Sequence, residues 1–180
     1  MSKPLAGGTP RVVVQGKGIW NHQCAHSPAT RCIFSQRDGQ NLIFHTFDLE
    51  HGQGRELLRI VGFLNWSLSS DGSKLTIVLD PHHIRFVSLD TGAAHDVTVQ
   101  DWALDCVDWG ASGQTLFMPS FAPNGLPVIL EVDQTGKAKV ILTGSANTEF
   151  KFMIQSPDSR NALLLEGIPT GNNAWIVDDF

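Results

Sequence analysis

The sequence predicts an all-β fold, a β-propeller of about four blades, each of four antiparallel strands. Three observations predict it. A turn serine recurs at Ser27, Ser70, Ser112 and Ser156, spaced 43, 42 and 44 residues apart. An aspartate closing an apolar strand recurs at Asp48, Asp90, Asp133 and Asp178, spaced 42, 43 and 45. The second strand-like run of each unit is apolar on both parities, as in Leu75-Thr76-Ile77-Val78-Leu79 and Leu116-Phe117-Met118. A period near 43 with four short strands is the signature of a propeller blade. A strand with one wet face alternates, whereas a blade strand covered on both faces reads as a continuous apolar run. A β-sandwich is the rival fold, and the period argues against it. A weaker aromatic marker falls at Trp66, Trp109 and Phe152.

The units follow in order. The first, 20–62, holds strands at 20–24, 31–37, 41–49 and 55–61. The second, 63–100, holds 65–69, 74–80, 84–90 and 95–99. The third, 101–144, holds 105–110, 115–121, 127–133 and 139–143. The fourth, 145–180, holds 150–155, 162–167 and 173–177, and no fourth strand. Asp38-Gly39, Asp71-Gly72, Thr91-Gly92 and Thr135-Gly136 supply the positive-φ positions that tight hairpins need. Residues 1–10 read as a disordered tail and 11–15 (RVVVQ) as a spare strand. Either that strand completes the last blade of a small ring, or the chain is part of a larger propeller. Four-bladed rings are uncommon, so the larger propeller is preferred, and exposed blade edges would then invite a homodimer.

Composition bounds the function. The chain has 180 residues, 42% apolar and 17% charged, a globular balance. Its net charge is −5 and its basic residues are scattered, which argues against nucleic acid as a partner. No apolar run approaches the length of a membrane span, so no membrane insertion is expected. Residues 1–10 lack the apolar core of a signal peptide, so the compartment expected by default is the cytoplasm.

The stretch 24–59 (CAHSPATRCIFSQRDGQNLIFHTFDLEHGQGRELLR) resembles a blade of the TolB-like, WD-repeat-like propellers of Acidobacteria and related bacteria. Residues 65–72 (NWSLSSDG), 106–117 (CVDWGASGQTLF), Ser156-Pro157-Asp158 and 173–180 (NAWIVDDF) are similar to the same pattern. The resemblance implies the C-terminal region of a serine/threonine protein kinase or a winged-helix regulator, acting there as a sensor or interaction module. This chain carries no Gly-rich loop with a catalytic His-Arg-Asp and no winged-helix segment, so kinase or DNA-binding activity would reside in other domains. A periplasmic location would follow only if the chain derives from a membrane-anchored sensor.

Candidate chemistry is sparse. Cys24 and Cys32 each lie four residues from Pro28, so a turn centred there sets them opposite one another at a separation a disulfide can bridge. Two reduced, buried cysteines are the alternative. His22, Cys24, His26 and Cys32 offer four zinc-type donors, but their spacing matches no zinc-finger pattern. Cys106 reads as core, and Asp105 and Asp108 as strand-end carboxylates. No Gly-x-Ser-x-Gly or P-loop occurs, so no catalytic residue, metal or cofactor is assigned. The binding loops are expected at 80–83, 122–126 and 169–173, which carry His82, His83, Asn124, Asn172 and Asn173. Trp102 and Trp175 fall outside the aromatic register and are candidate binding anchors. The expected function is a non-enzymatic module that binds a protein, peptide or small ligand on a loop face. A substrate-gating propeller attached to a hydrolase or peptidase is the alternative.

Overall fold

The structure, a computed structural model, describes residue 9 and residues 11–178. Most of the expected tail, and the last two residues, lie outside the described residues. Fifteen strands are present among the described residues. β1 (Ile19–Cys24), β2 (Cys32–Asp38), β3 (Asn41–Asp48) and β4 (Gly52–Val61) form the first sheet, in the order β1-β2-β3-β4. β5 (Asn65–Leu68), β6 (Lys74–Asp80), β7 (His83–Ser88) and β8 (Ala94–Thr98) form the second in the same meander. β9 (Asp108–Trp109), β10 (Thr115–Phe121), β11 (Pro127–Asp133) and β12 (Ala138–Thr143) form the third. β13 (Glu149–Gln155), β14 (Asn161–Ile168) and β15 (Gly171–Asp178) form the fourth, which has three strands among the described residues. All pairings within the sheets are antiparallel.

Two expectations are corrected. Residues 11–15 make no ladder strand; only Arg11 forms an isolated bridge, and its guanidinium donates to the Leu49 carbonyl. The strand expected over 105–110 shrinks to Asp108–Trp109. The backbone before it is committed elsewhere: the Leu104 N–H donates to the Pro81 carbonyl at 2.8 Å.

The chain divides into two compact units, one ending at Gly62 and the other beginning at Phe63. In the first, Ile33, Phe34, Leu42 and Phe44 of β2 and β3 are buried. The second holds three sheets whose faces pack in succession. One core joins Val78, Ile84 and Phe86 to Trp109, Leu116, Met118, Val128, Leu130 and Val132. The next joins Phe117 and Ile129 to Phe150, Met153, Ala162 and Leu164. Leu116 and Met118 therefore face the second sheet, and Phe117 between them faces the fourth. That is why β10 is apolar on both parities.

In the second unit the turn between the first two strands of each sheet is closed by the same backbone bonds. The Ser69 N–H donates to the Lys74 carbonyl at 2.9 Å and the Gly72 N–H to the Ser69 carbonyl at 2.8 Å. Gly110 with Thr115 and Gly113, and Ser156 with Asn161 and Ser159, repeat both bonds. The structural repeat thus sets Ser69, Gly110 and Ser156 in one place: Ser156 is the serine marker itself, and Ser69 and Gly110 stand one and two residues before theirs. Ser88, not Asp90, occupies the place of Asp133: each is bonded by the N–H of a glycine (Gly92, Gly136). Gly136 has φ of 89°, and a Cβ there would stand 2.5 Å from the Thr98 carbonyl oxygen.

Ser69 adds a side-chain lock. Its Oγ donates to Asp71 at 2.6 Å and accepts the Lys74 N–H at 2.9 Å, while Ser69 itself is 1% exposed. Ser156 repeats the lock with Asp158 and Asn161, at the protein surface. Ser69→Ala is expected to cost about 1–2 kcal/mol in urea unfolding, because it strands a buried N–H. Ser156→Ala is expected to cost less, because water replaces the hydroxyl.

Candidate functional site

The end of the second unit that carries the β6–β7 and β10–β11 turns is the most built surface. Asp80 closes β6 and organises the first turn. Its carboxylate accepts the N–H of His82 at 2.8 Å and of His83 at 3.0 Å, and meets the His83 ring at 2.8 Å. The His82 amide, then the His83 ring, hold the Asp80 carboxyl below the usual range. The segment 99–104 lies across this turn as a strap. The Val99 N–H donates to the His82 carbonyl at 2.9 Å, and the Leu104 N–H to the Pro81 carbonyl. The His82 Nδ1 stands 2.9 Å from the Trp102 carbonyl. Ser120 of β10 ties the same strap to the third sheet, donating to the Ala103 carbonyl at 2.9 Å.

The β10–β11 loop is held in turn by Ala122, whose carbonyl and N–H bond Gly125 and Leu126 at 2.8 Å each. The Asn124 side-chain oxygen accepts the Leu126 N–H at 3.2 Å. Half of Asn124's amide group is thus used by its own loop. Trp102 and Ala122 pack against the same core, so strap and loop share a base. His82, His83 and Asn124 remain exposed, and Phe121 beside them is 50% exposed. The structure therefore brings His82, His83, Trp102 and Asn124 to one end of two adjacent sheets.

Asn172, Asn173 and Trp175 do not join them. They sit on β15, paired with Gly167, Glu166 and Leu164 of β14. The Trp175 indole donates to Glu166 at 2.9 Å. Reading them as loop residues is corrected: Asn172 and Asn173 lie within the ladder.

Cys24 and Cys32 form a disulfide, with Cα atoms 4.0 Å apart. They are direct cross-strand partners, one position from the pair bridged by the Ala25 N–H and the Arg31 carbonyl. That places them at a non-hydrogen-bonded pair, the closer of the two antiparallel spacings. Their sulfurs are consumed by each other, not by a metal. Among the described residues no group of three or more His, Cys, Asp or Glu is placed to hold a metal ion. Beside them opens a cavity of about 270 Å³, lined by Val13, Val14, Ile19, His22, Cys24, Phe34, Phe47 and Leu49.

A second polar cluster escaped the sequence reading in its detail. Asn65 donates to the Cys106 sulfur at 3.3 Å, across two sheets of the second unit. Burial, with the Asp105 charge behind it, pushes the Cys106 thiol up to about 11. It stays protonated at neutral pH and is a poor nucleophile. Burial alone pushes the Asp108 carboxyl up to about 7. The folded protein then holds a proton there that the unfolded chain, with its ordinary carboxylate, releases near pH 4. Stability from this group is present below pH 4 and falls as pH rises toward 7. Asp108→Asn is expected to raise the melting temperature at pH 8 and leave it nearly unchanged at pH 4.

The comparisons with known proteins bear on the fold. TolB from Acinetobacter baumannii superposes with a TM-score of 0.75 at 16% identity, over 98% of this chain and 45% of that one. The β-propeller domain of Cps50 (Swd1) from Myceliophteria thermophila gives 0.57 at 12%, over 91% and 53%. Oligogalacturonate lyase from Vibrio parahaemolyticus gives 0.58 at 12%, over 90% and 62%. The fold is a β-propeller of the TolB-like and WD-repeat-like kind, and this chain spans less than half the length of the TolB chain. No protein-family model matches the sequence, and no curated protein matches it. No helix among the described residues is long and apolar enough to cross a membrane.

Proposed function

We propose that this chain is a non-enzymatic interaction module that takes a protein or peptide partner at the turn end of its second and third blades. A sensory role in a bacterial signalling protein fits that reading, as does a homodimer formed through exposed blade edges. The observation that carries it is the strap 99–104. It pins the backbone of the β6–β7 turn and is tied to β10 through the Ser120 hydroxyl, while His82, His83, Phe121 and Asn124 face solvent. Rigid backbone with exposed polar and aromatic tips is how a scaffold presents a binding surface. The fold class is one on which binding proteins and enzymes both occur, so the site and not the likeness carries the reading. Cys106, the free thiol of the cluster, is protonated and lies between carboxylates, which favours binding over chemistry.

The test is selection of random dodecapeptides displayed on phage against the immobilised chain. Selected peptides should lose about tenfold in affinity for a His83→Ala, Phe121→Ala variant that melts like the wild type. They should bind a Lys139→Ala control unchanged. Peptides insensitive to the double substitution would place the binding surface elsewhere and overturn the proposal. Light scattering on a sizing column separately decides between monomer and homodimer.

A further inference from the structure

The two histidines of the β6–β7 turn are each held in one tautomer. The His82 Nδ1 stands 2.9 Å from the Trp102 carbonyl oxygen, which can only accept. The His83 Nδ1 stands 2.8 Å from each oxygen of the Asp80 carboxylate, which also only accepts. Each Nδ1 therefore carries the proton, and in each neutral ring Nε2 is left as an acceptor. Neither Nε2 has a partner among the described residues. Both histidines are exposed. Two adjacent rings thus offer a ligand lone pairs rather than N–H groups.

The fixed charges around them have one sign. From residue 75 to residue 136 the chain carries eight carboxylates and a single Lys or Arg, Arg85. Arg85 is committed to Asp96 by two bonds of 2.7 Å. Three of the carboxylates belong to the turn end. Asp80 anchors the turn, Asp101 lies in the strap, and Asp105 follows Leu104, whose N–H bonds the Pro81 carbonyl. Asp101 and Asp105 are exposed. Phe121, half exposed, adds the face of an aromatic ring. Imidazole lone pairs, carboxylates and a ring face all attract a cation that carries N–H groups, and all repel an anion.

We infer that the partner taken at the turn end is a basic polypeptide segment, held by its arginine side chains. The inference rests on the reading of this end as a binding surface and names the chemistry of what binds there. A guanidinium spreads five N–H donors over one plane, so a single side chain can bond an imidazole Nε2 and a carboxylate at once. It also lays its plane on an aromatic ring and gives up its weak hydration readily, where a lysine ammonium holds its water.

The probe is the acetylated, amidated pentapeptide Gly-Arg-Gly-Arg-Gly, set against the same peptide with citrulline at both arginine positions. Citrulline keeps the length and the flat end group and lacks the charge. Both are titrated at neutral pH into the whole isotope-labelled chain, and the ring nitrogens of His82 and His83 are followed by long-range proton–nitrogen correlation. Before peptide is added, each ring should show a protonated Nδ1 and a bare Nε2. The arginine peptide should shift both Nε2 resonances saturably, and the citrulline peptide should bind about tenfold more weakly. The joint Asp101→Asn, Asp105→Asn variant should weaken the arginine peptide about fivefold while melting like the wild type. Unmoved Nε2 resonances, equal affinities for the two peptides, or indifference to the asparagine substitutions would each overturn the inference. Phage-selected peptides that need His83 and Phe121 but contain neither arginine nor lysine would overturn it too, and would leave the turn end standing as a binding surface.

Discussion

Leu116→Ala and Phe117→Ala, adjacent in β10, are each expected to lower the unfolding free energy by about 3 kcal/mol. The two residues are 0% and 3% exposed but belong to different cores. Leu116 packs with Val78, Phe86 and Met118, and Phe117 with Ile129, Phe150 and Met153. Truncating either leaves a cavity that rigid sheets on both sides cannot collapse to fill. Because they share no core partner, the double variant should cost nearly the sum of the two, within about 0.5 kcal/mol. Urea unfolding monitored by tryptophan fluorescence measures all three. If one of the two substitutions proved nearly free, β10 would have a wet face and the stacking of sheets in this unit would be wrong.

The second large effect belongs to the disulfide. Cys24 and Cys32 are eight residues apart, so their bond closes a short loop in the unfolded chain. The chain-entropy relation gives about 2.5 kcal/mol for a loop of that size. Reduction with dithiothreitol, or the joint Cys24→Ala, Cys32→Ala variant, is expected to lower the stability of the first unit by that order. Alkylation of the denatured chain provides the accompanying count. One thiol, Cys106, should react before reduction, and all three cysteines after it. Three reactive thiols in the native oxidised preparation, with no change in melting on reduction, would refute the bond.

Most of the strand pattern was legible in the sequence, for a reason visible in β10. A strand covered on both faces must be apolar at every position, and such runs bounded by Gly, Pro and Asp have few other readings. Lys74–Asp80, Thr115–Phe121 and Pro127–Asp133 end where the residue pattern says they should. The repeat markers were less faithful. Trp66, Trp109 and Phe152 keep a spacing of 43, yet the turn bonds align Trp109 with Leu68 and with Gln155. The turn is fixed by main-chain groups, so Gly110 can stand where Ser69 and Ser156 stand, and letters alone miss the equivalence. Short strands also hide when their backbone is claimed by a distant partner. Residues 99–104 look like strand flank, but bond Pro81 and His82 some twenty residues earlier. The same distance hid the gathering of Trp102 with His82, although each was visible as a candidate by itself. The raised carboxyl of Asp108 depends on burial between sheets, which local pattern does not report.

The successive cores of the second unit have a thermodynamic corollary. Each sheet there touches only its sequence neighbours, so opening is a nearest-neighbour problem in one dimension. Within the unit the third sheet is held from both sides, and the second and fourth from one each. Local unfolding of the unit should therefore begin at its outer sheets, β5–β8 or β13–β15, and propagate inward, with amides of β10 and β11 exchanging only at the free energy of the whole unit. A unit arranged this way has a built-in order of fraying, and its middle sheet is the last to open.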